Sequence, residues 1–209
     1  MEIAQRIDVV KAHPEVYEAS REPDIVDVGP GTYLVVAGRG APRAEAFRNA
    51  LGALGSICDR LKYVCLADQL DFRVAPLEAS WWSDVPEDFS ATPPQEWNWE
   101  ARIRVPDFID DGLLDEVRAG LEVAGKPGPL SDVRLAMLED GPCVRVLHLG
   151  PYSEEGPVIQ ALHSFARERG FTLRGHHHEV YLSDPQRTKP ESLRTVLLHP
   201  VASAAPAPA

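Results

Sequence analysis

The stretch Cys143-Val144-Arg145-Val146-Leu147-His148-Leu149-Gly150-Pro151-Tyr152 decides how the chain is read. Its first seven residues are mostly β-branched or apolar, which predicts a strand. Gly150-Pro151 ends that strand and delivers Tyr152 to the start of a helix predicted over Glu154 to Arg169, closed by Gly170. A further strand is predicted over His176 to Leu182 and stops at Asp184-Pro185. The first half repeats the order. Thr32 to Ala37 reads as a strand, Gly38 to Pro42 as a tight loop, Arg43 to Val64 as a helix and Phe72 to Leu77 as a strand. In that helix Phe47, Ala50, Leu51, Leu54, Ile57, Cys58 and Leu61 recur at three- and four-residue steps, as one buried stripe requires. Each closing strand contains or meets a glutamate, Glu78 in the first half and Glu179 in the second. This is an internal duplication of about 75 to 100 residues per unit. Two fused units predict an α+β fold, an antiparallel sheet with helices on one face. The other face is then free as a ligand groove, with a cleft where Glu78 and Glu179 approach each other.

The remaining segments fit around that frame. Residues 1–23 read as an N-terminal arm and 24–201 as one domain, split into repeats at about 24–106 and 107–201. The Ala/Pro-rich tail, 202–209, is expected to be disordered. Asp27 to Gly31 is a turn. Trp97 to Val105 alternates cleanly, with Trp97, Trp99, Ala101, Ile103 and Val105 on one face and Asn98, Glu100, Arg102 and Arg104 on the other. Asp110 or Asp111 caps a helix to about Ala124. Val133–Leu138 and Cys143–Leu149 flank Glu139-Asp140-Gly141-Pro142, which predicts a hairpin. A short strand over Thr195 to His199 completes the fold.

Composition narrows the function. The 209 residues carry 21 Lys+Arg against 32 Asp+Glu, a net charge of −11. Such a chain lacks the basic face that sequence-independent nucleic-acid binding needs. Charges at Glu2, Arg6, Asp8 and Lys11 interrupt any leader-like apolar run, and no stretch approaches the roughly 18 apolar residues of a membrane span. Three cysteines without a CxxC pattern suit a reducing compartment, so a cytoplasmic protein is expected, as a monomer or homodimer without cofactor or metal.

Three constellations carry possible chemistry. Trp81, Trp82, Trp97 and Trp99 are the only tryptophans and lie within 19 positions. They form either an aromatic core cluster or a flat-walled pocket for a planar ligand, with Asp84, Pro86, Pro93 and Pro94 as a rigid rim. His176-His177-His178-Glu179-Val180-Tyr181 places Glu179 and Tyr181 on one strand face and His176 and His178 on the other. In an apolar site Glu179 would be a proton acceptor near neutral pH; on an edge it would be a surface ion-pair member. His-x-His is also half of a metal site, but no third ligand follows at a set spacing. His148-Leu149-Gly150-Pro151-Tyr152 either makes turn contacts alone or presents Tyr152 and His148 as donors to a developing oxyanion. The lone GxG at Gly38-Arg39-Gly40 lacks the rest of a dinucleotide fingerprint.

Those strings, with Leu193-Arg194-Thr195 and Pro200-Val201, resemble the GyrI-like small-molecule-binding family. Pro76-Leu77-Glu78-Ala79-Ser80-Trp81-Trp82 and Trp97-Asn98-Trp99 resemble its stand-alone branch, which opens cyclopropane rings of DNA-alkylating natural products with water. The resemblance implies duplicated β-α-β-β (SHS2-like) repeats forming one curved antiparallel sheet with a central ligand cleft. It further implies Glu179 as general base and Tyr152 and Tyr181 as catalytic donors. A flat aromatic or hydrophobic substrate would be held by Trp81, Trp82, Trp97, Trp99, His148, His178, Glu78 and Tyr33. A non-catalytic drug-binding or gyrase-protecting protein is the alternative.

Overall fold

A computed structural model describes residues 6–84 and 92–204; Pro86 of the expected rim lies outside them. The chain folds as two compact units, and both are discontinuous in sequence. The first takes residues up to His13 and Gly31–Leu138, the second Pro14–Pro30 and Glu139 onward. In chain order the elements are α1 (Val9–Ala12), α2 (Pro14–Tyr17), β1 (Asp24–Val28), β2 (Gly31–Arg39), α3 (Glu45–Ala67), β3 (Leu77–Trp82) and β4 (Asn98–Arg104). There follow α4 (Asp111–Val123), β5 (Arg134–Leu138), β6 (Gly141–Leu149), α5 (Glu155–Glu168), β7 (Phe171–Leu173), β8 (His177–Tyr181) and β9 (Arg194–Ser203).

In the first unit the strand order is β3-β4-β2-β5, with antiparallel pairing throughout. Leu34 and Val36 of β2, Ala79 and Trp81 of β3, and Trp99 and Ala101 of β4 are buried on one face. Helix α3 covers that face with most of the stripe its sequence predicts: Phe47, Ala50, Leu54, Ile57, Cys58 and Leu61 are buried, while Leu51 is half-buried. Trp99 lies across its cross-strand partner Gly38; a Cβ there would stand 2.4 Å from the indole. The opposite face carries Tyr33, Glu78, Arg102 and Arg104, all buried. Asp110 caps α4, its carboxylate accepting from the Leu113 amide at 2.9 Å, as expected.

In the second unit the order is β1-β6-β9-β8, again antiparallel, with β7 added at the far end of β9. Helix α5 packs on Val144 and Val146 of β6 and Leu197 and Val201 of β9 through Leu162 and Ala166.

Several expectations are corrected. The expectation of one curved sheet around a central cleft is overturned: the strand order is open in each unit, ending on β3 and β5 in the first and on β1 and β8 in the second. What stands is an α+β fold with a large antiparallel sheet and peripheral helices. The hairpin expected at Glu139–Pro142 is absent. β5 pairs with β2 (Gly31↔Leu138 to Val35↔Arg134), and β6 pairs with β1 (Val28↔Gly141 to Asp24↔Arg145). Each edge strand therefore belongs to a different unit from the strand that follows it in sequence. Alternation fixes a strand's faces but not its partner, so the local pattern was compatible with either pairing. The strand expected at Phe72–Leu77 begins at Leu77; Phe72 instead makes an isolated parallel bridge to Ile7. β9 runs to Ser203, into the expected tail, because β7 pairs with its last residues. Residues 205–209 lie outside the described residues.

Glu78 and Arg102, cross-strand partners on β3 and β4, form an ion pair at 3.1 Å with almost no exposure on either side chain. Removing one partner leaves the other charge buried, which typically costs about 3–5 kcal/mol, whereas an apolar pair of similar volume is often tolerated. Glu78→Leu should therefore lower the urea midpoint strongly. The double variant Glu78→Leu/Arg102→Met should recover most of that loss.

Candidate functional site

The second unit brings titratable groups together on the face of the sheet that α5 covers. Antiparallel pairing arranges them in rows. His148 of β6, Thr195 of β9 and Tyr181 of β8 lie abreast; next come Val146, Leu197 and Glu179. One step further, the His177 and His199 rings are 6.3 Å apart. Leu197 belongs to the cluster under α5, so Glu179 lies on the helix-covered side and not on a helix-free face as expected. Strand parity put Glu179 and Tyr181 on one side correctly; it could not tell which side the helix takes.

Glu179 is 9% exposed, with its Oε1 3.3 Å from His177 Nε2. Helix α5 adds a second carboxyl group. Glu155 is buried in the first turn, and its Oε1 has no hydrogen-bond partner among the described residues. Burial pushes its pKa up to about 9, repulsion by Glu179 adds to this, and the Thr195 hydroxyl works the other way. Glu155 is therefore protonated at neutral pH. Glu155 was not anticipated. Its signal was the helical stripe Glu155, Ile159, Leu162, Ala166, at steps of four, three and four, which carries the apolar face of α5 back onto a carboxylate.

Tyr152 and Tyr181 pack edge to face at 5.7 Å between centroids, and Tyr152 is 37% exposed. Burial, then Glu155, Glu179 and Asp184, push the Tyr152 hydroxyl up to about 12, so it remains a donor. His148 is buried with Nε2 3.2 Å from the Pro151 carbonyl, which ties it to the turn beneath Tyr152. His199 pairs with His163 at 3.2 Å, and burial with neighbouring imidazoles pushes it down to about 3, leaving it neutral.

The other expected residues are placed elsewhere. His178 faces away from Glu179 and sits 3.4 Å from Asp140, while His176 is exposed. No group of three His, Cys, Asp or Glu side chains among the described residues is placed to hold a metal ion. In the first unit Trp81, Trp97 and Trp99 form an aromatic cluster: Phe47 of α3 lies 5.0 Å from both Trp81 and Trp99, and Trp97 lies 5.9 Å from Trp81. Trp81 and Trp99 are each 2% exposed. Trp82 alternates to the opposite face, with Glu78. Tyr33 lies on that face under the guanidinium groups of Arg102 and Arg104, at 5.0 and 5.4 Å. The four tryptophans therefore do not form one wall.

Among solved structures, an uncharacterized conserved protein from Listeria innocua is 32% identical with a TM-score of 0.88, covering 94% of this chain and 100% of that one. Two structures described as hydrolases from Listeria innocua are each 30% identical, with TM-scores of 0.84 and 0.86; they cover 94% and 95% of this chain and all of their own. A comparison with curated proteins found no match. Residues 21–202 match the GyrI-like small molecule binding domain, and the chain belongs to that family.

Proposed function

We propose that the chain is a hydrolase that opens the strained cyclopropane of spirocyclopropyl-dienone natural products with water, as protection against these DNA alkylators. The observation that carries this reading is the buried carboxyl pair Glu155 and Glu179, with Glu155 held protonated, beside two tyrosines. The similarity to two Listeria innocua hydrolases supports it.

Glu179, with His177 Nε2 3.3 Å from its Oε1, is the general base. Its carboxylate takes a proton from water as the water oxygen bonds to the cyclopropane methylene. The ring C–C bond breaks, and its electron pair moves into the dienone, which aromatises to a phenolate. Tyr152, held protonated, donates a hydrogen bond to that oxyanion. Solvent then protonates the phenolate, and Glu179 releases its proton. Ring strain and aromatisation drive the step, so positioning and one base suffice. Glu155, held protonated by burial, is a neutral neighbour to Glu179.

Mass spectrometry of a duocarmycin-type cyclopropane compound incubated with the protein should show gain of one water, faster than without protein. Glu179→Gln should lower that rate by about 10²–10⁴-fold while keeping ligand binding. Binding without any mass change would move the reading to a non-catalytic small-molecule binder. Wild-type turnover in Glu179→Gln would remove Glu179 from its role.

The proton on Glu155 also predicts a pH-dependent stability. Its folded pKa, about 9, lies above the ordinary 4.5, so the stability it contributes is whole below pH 4.5 and is lost as pH rises through about 9. Glu155→Gln removes that loss. Its Tm should exceed wild type at pH 8 by several degrees, at about 2–4 °C per kcal/mol, and the gain should shrink toward pH 5. An equal difference at both pH values would contradict the raised pKa of Glu155.

A further inference from the structure

Helix α5 is held to its sheet by two kinds of contact. Leu162 and Ala166 pack on Val144, Val146, Leu197 and Val201. Beside that apolar seam, His163 of α5 meets His199 of β9, Nε2 to Nδ1, at 3.2 Å. The two rings stand edge to face, 4.9 Å between centroids. His199 is 9% exposed and His163 is half-buried.

The titratable groups around His199 are mostly imidazoles. Helix α5 gives His163, β8 gives His177 with its ring 6.3 Å away, and the residue before β8 gives His176. From β6 the cross-strand partner is the apolar Val144. β7 pairs with Val201 to Ser203 through Phe171–Leu173, which carry no charge, and Arg174 after it donates to the Val201 carbonyl at 3.1 Å. The carboxyl groups on this face are Glu179, whose Oε1 lies 3.3 Å from His177, and Glu155 in the first turn of α5.

A hydrogen bond between two imidazoles needs one N–H and one lone pair. Two neutral rings supply both, and so does a pair carrying one extra proton. When both rings are protonated, the facing nitrogens are both donors, and the bond becomes a repulsion. Burial, then the neighbouring imidazoles, push His199 down to about 3, so the packed helix does not take that second proton. A helix lifted off the sheet returns the ring to its ordinary 6.5.

We propose that the His163–His199 pair is an acid-sensitive latch that holds α5 over the carboxyl site, so that acidification releases the helix and uncovers Glu179. The open form binds a proton that the closed form excludes. Opening therefore increases as pH falls below 6.5, by about tenfold per pH unit, down to about pH 3. Glu155, at the start of the same helix, works in the opposite sense. It holds its proton when packed and loses it when released, so acid favours the closed form there. The two titrations overlap, and the imidazole latch is read cleanly only with the carboxyl one removed.

Amide hydrogen exchange, expressed as protection relative to an unstructured chain at each pH, reports local opening of α5. In Glu155→Gln the opening constant of α5 should rise by about 50-fold from pH 6.5 to pH 4.5. Adding His199→Gln, which leaves His163 a hydrogen-bond partner that does not titrate, should remove most of that rise. His199→Leu takes its place if that variant does not fold. Helix α3 of the first unit should keep its protection over the same range. A flat response in Glu155→Gln, an equal rise after the His199 substitution, or an equal loss of protection in α3 would each overturn the latch. The readout is helix opening and not turnover, so failure of the latch and failure of the proposed activity are separate results.

Discussion

Two carboxyl groups held out of water on one face of a sheet repel each other when charged, and the second unit is arranged around that constraint. β8 supplies Glu179, and the first turn of α5 supplies Glu155. The sheet beneath them is a mixed surface: apolar where Leu162 and Ala166 pack, polar where Thr195, His148 and His177 lie. Burial, with repulsion by Glu179, keeps Glu155 protonated. Tyr152 then feels the same negative field and stays a hydrogen-bond donor. The acid–base character of the whole corner thus comes from where a helix begins.

Much of the fold was legible because local rules and tertiary packing agree. The apolar stripe of α3, the Asp110 cap and the clean alternation of β4 each appear as the sequence implies. What was not legible is pairing. β5 and β6 look like a hairpin by every local criterion, and only their partners show otherwise. β7 was missed because three residues are too short for a periodic signal.

The site divides along the same line. Glu179, Tyr181 and Tyr152 were readable from strand parity and from the Gly150-Pro151 turn. Glu155 was hidden because an acidic residue in a first helical turn is ordinarily explained by the helix dipole alone. The tryptophans misled through proximity in sequence. Trp81 and Trp82 are neighbours, so a strand sends them to opposite faces. Glu78 looked like a counterpart of Glu179, but its partner is Arg102, on the face opposite α3. Its chemistry is that of a buried ion pair in the first unit.

The exchanged edge strands bear on how the chain comes off the ribosome. Asp24 of β1 is tied to Arg145 of β6 across 121 positions, by two hydrogen bonds of 2.8 and 2.9 Å between carboxylate and guanidinium. During synthesis β1 emerges early and has no partner until β6 follows, more than a hundred residues later. In that interval the intervening chain can already assemble β2, α3, β3 and β4. Completion of the second unit is thus a late, long-range closure, the slow kind of contact in folding. No single cut in the chain separates the units, so neither can be gained or lost by simple truncation of a gene.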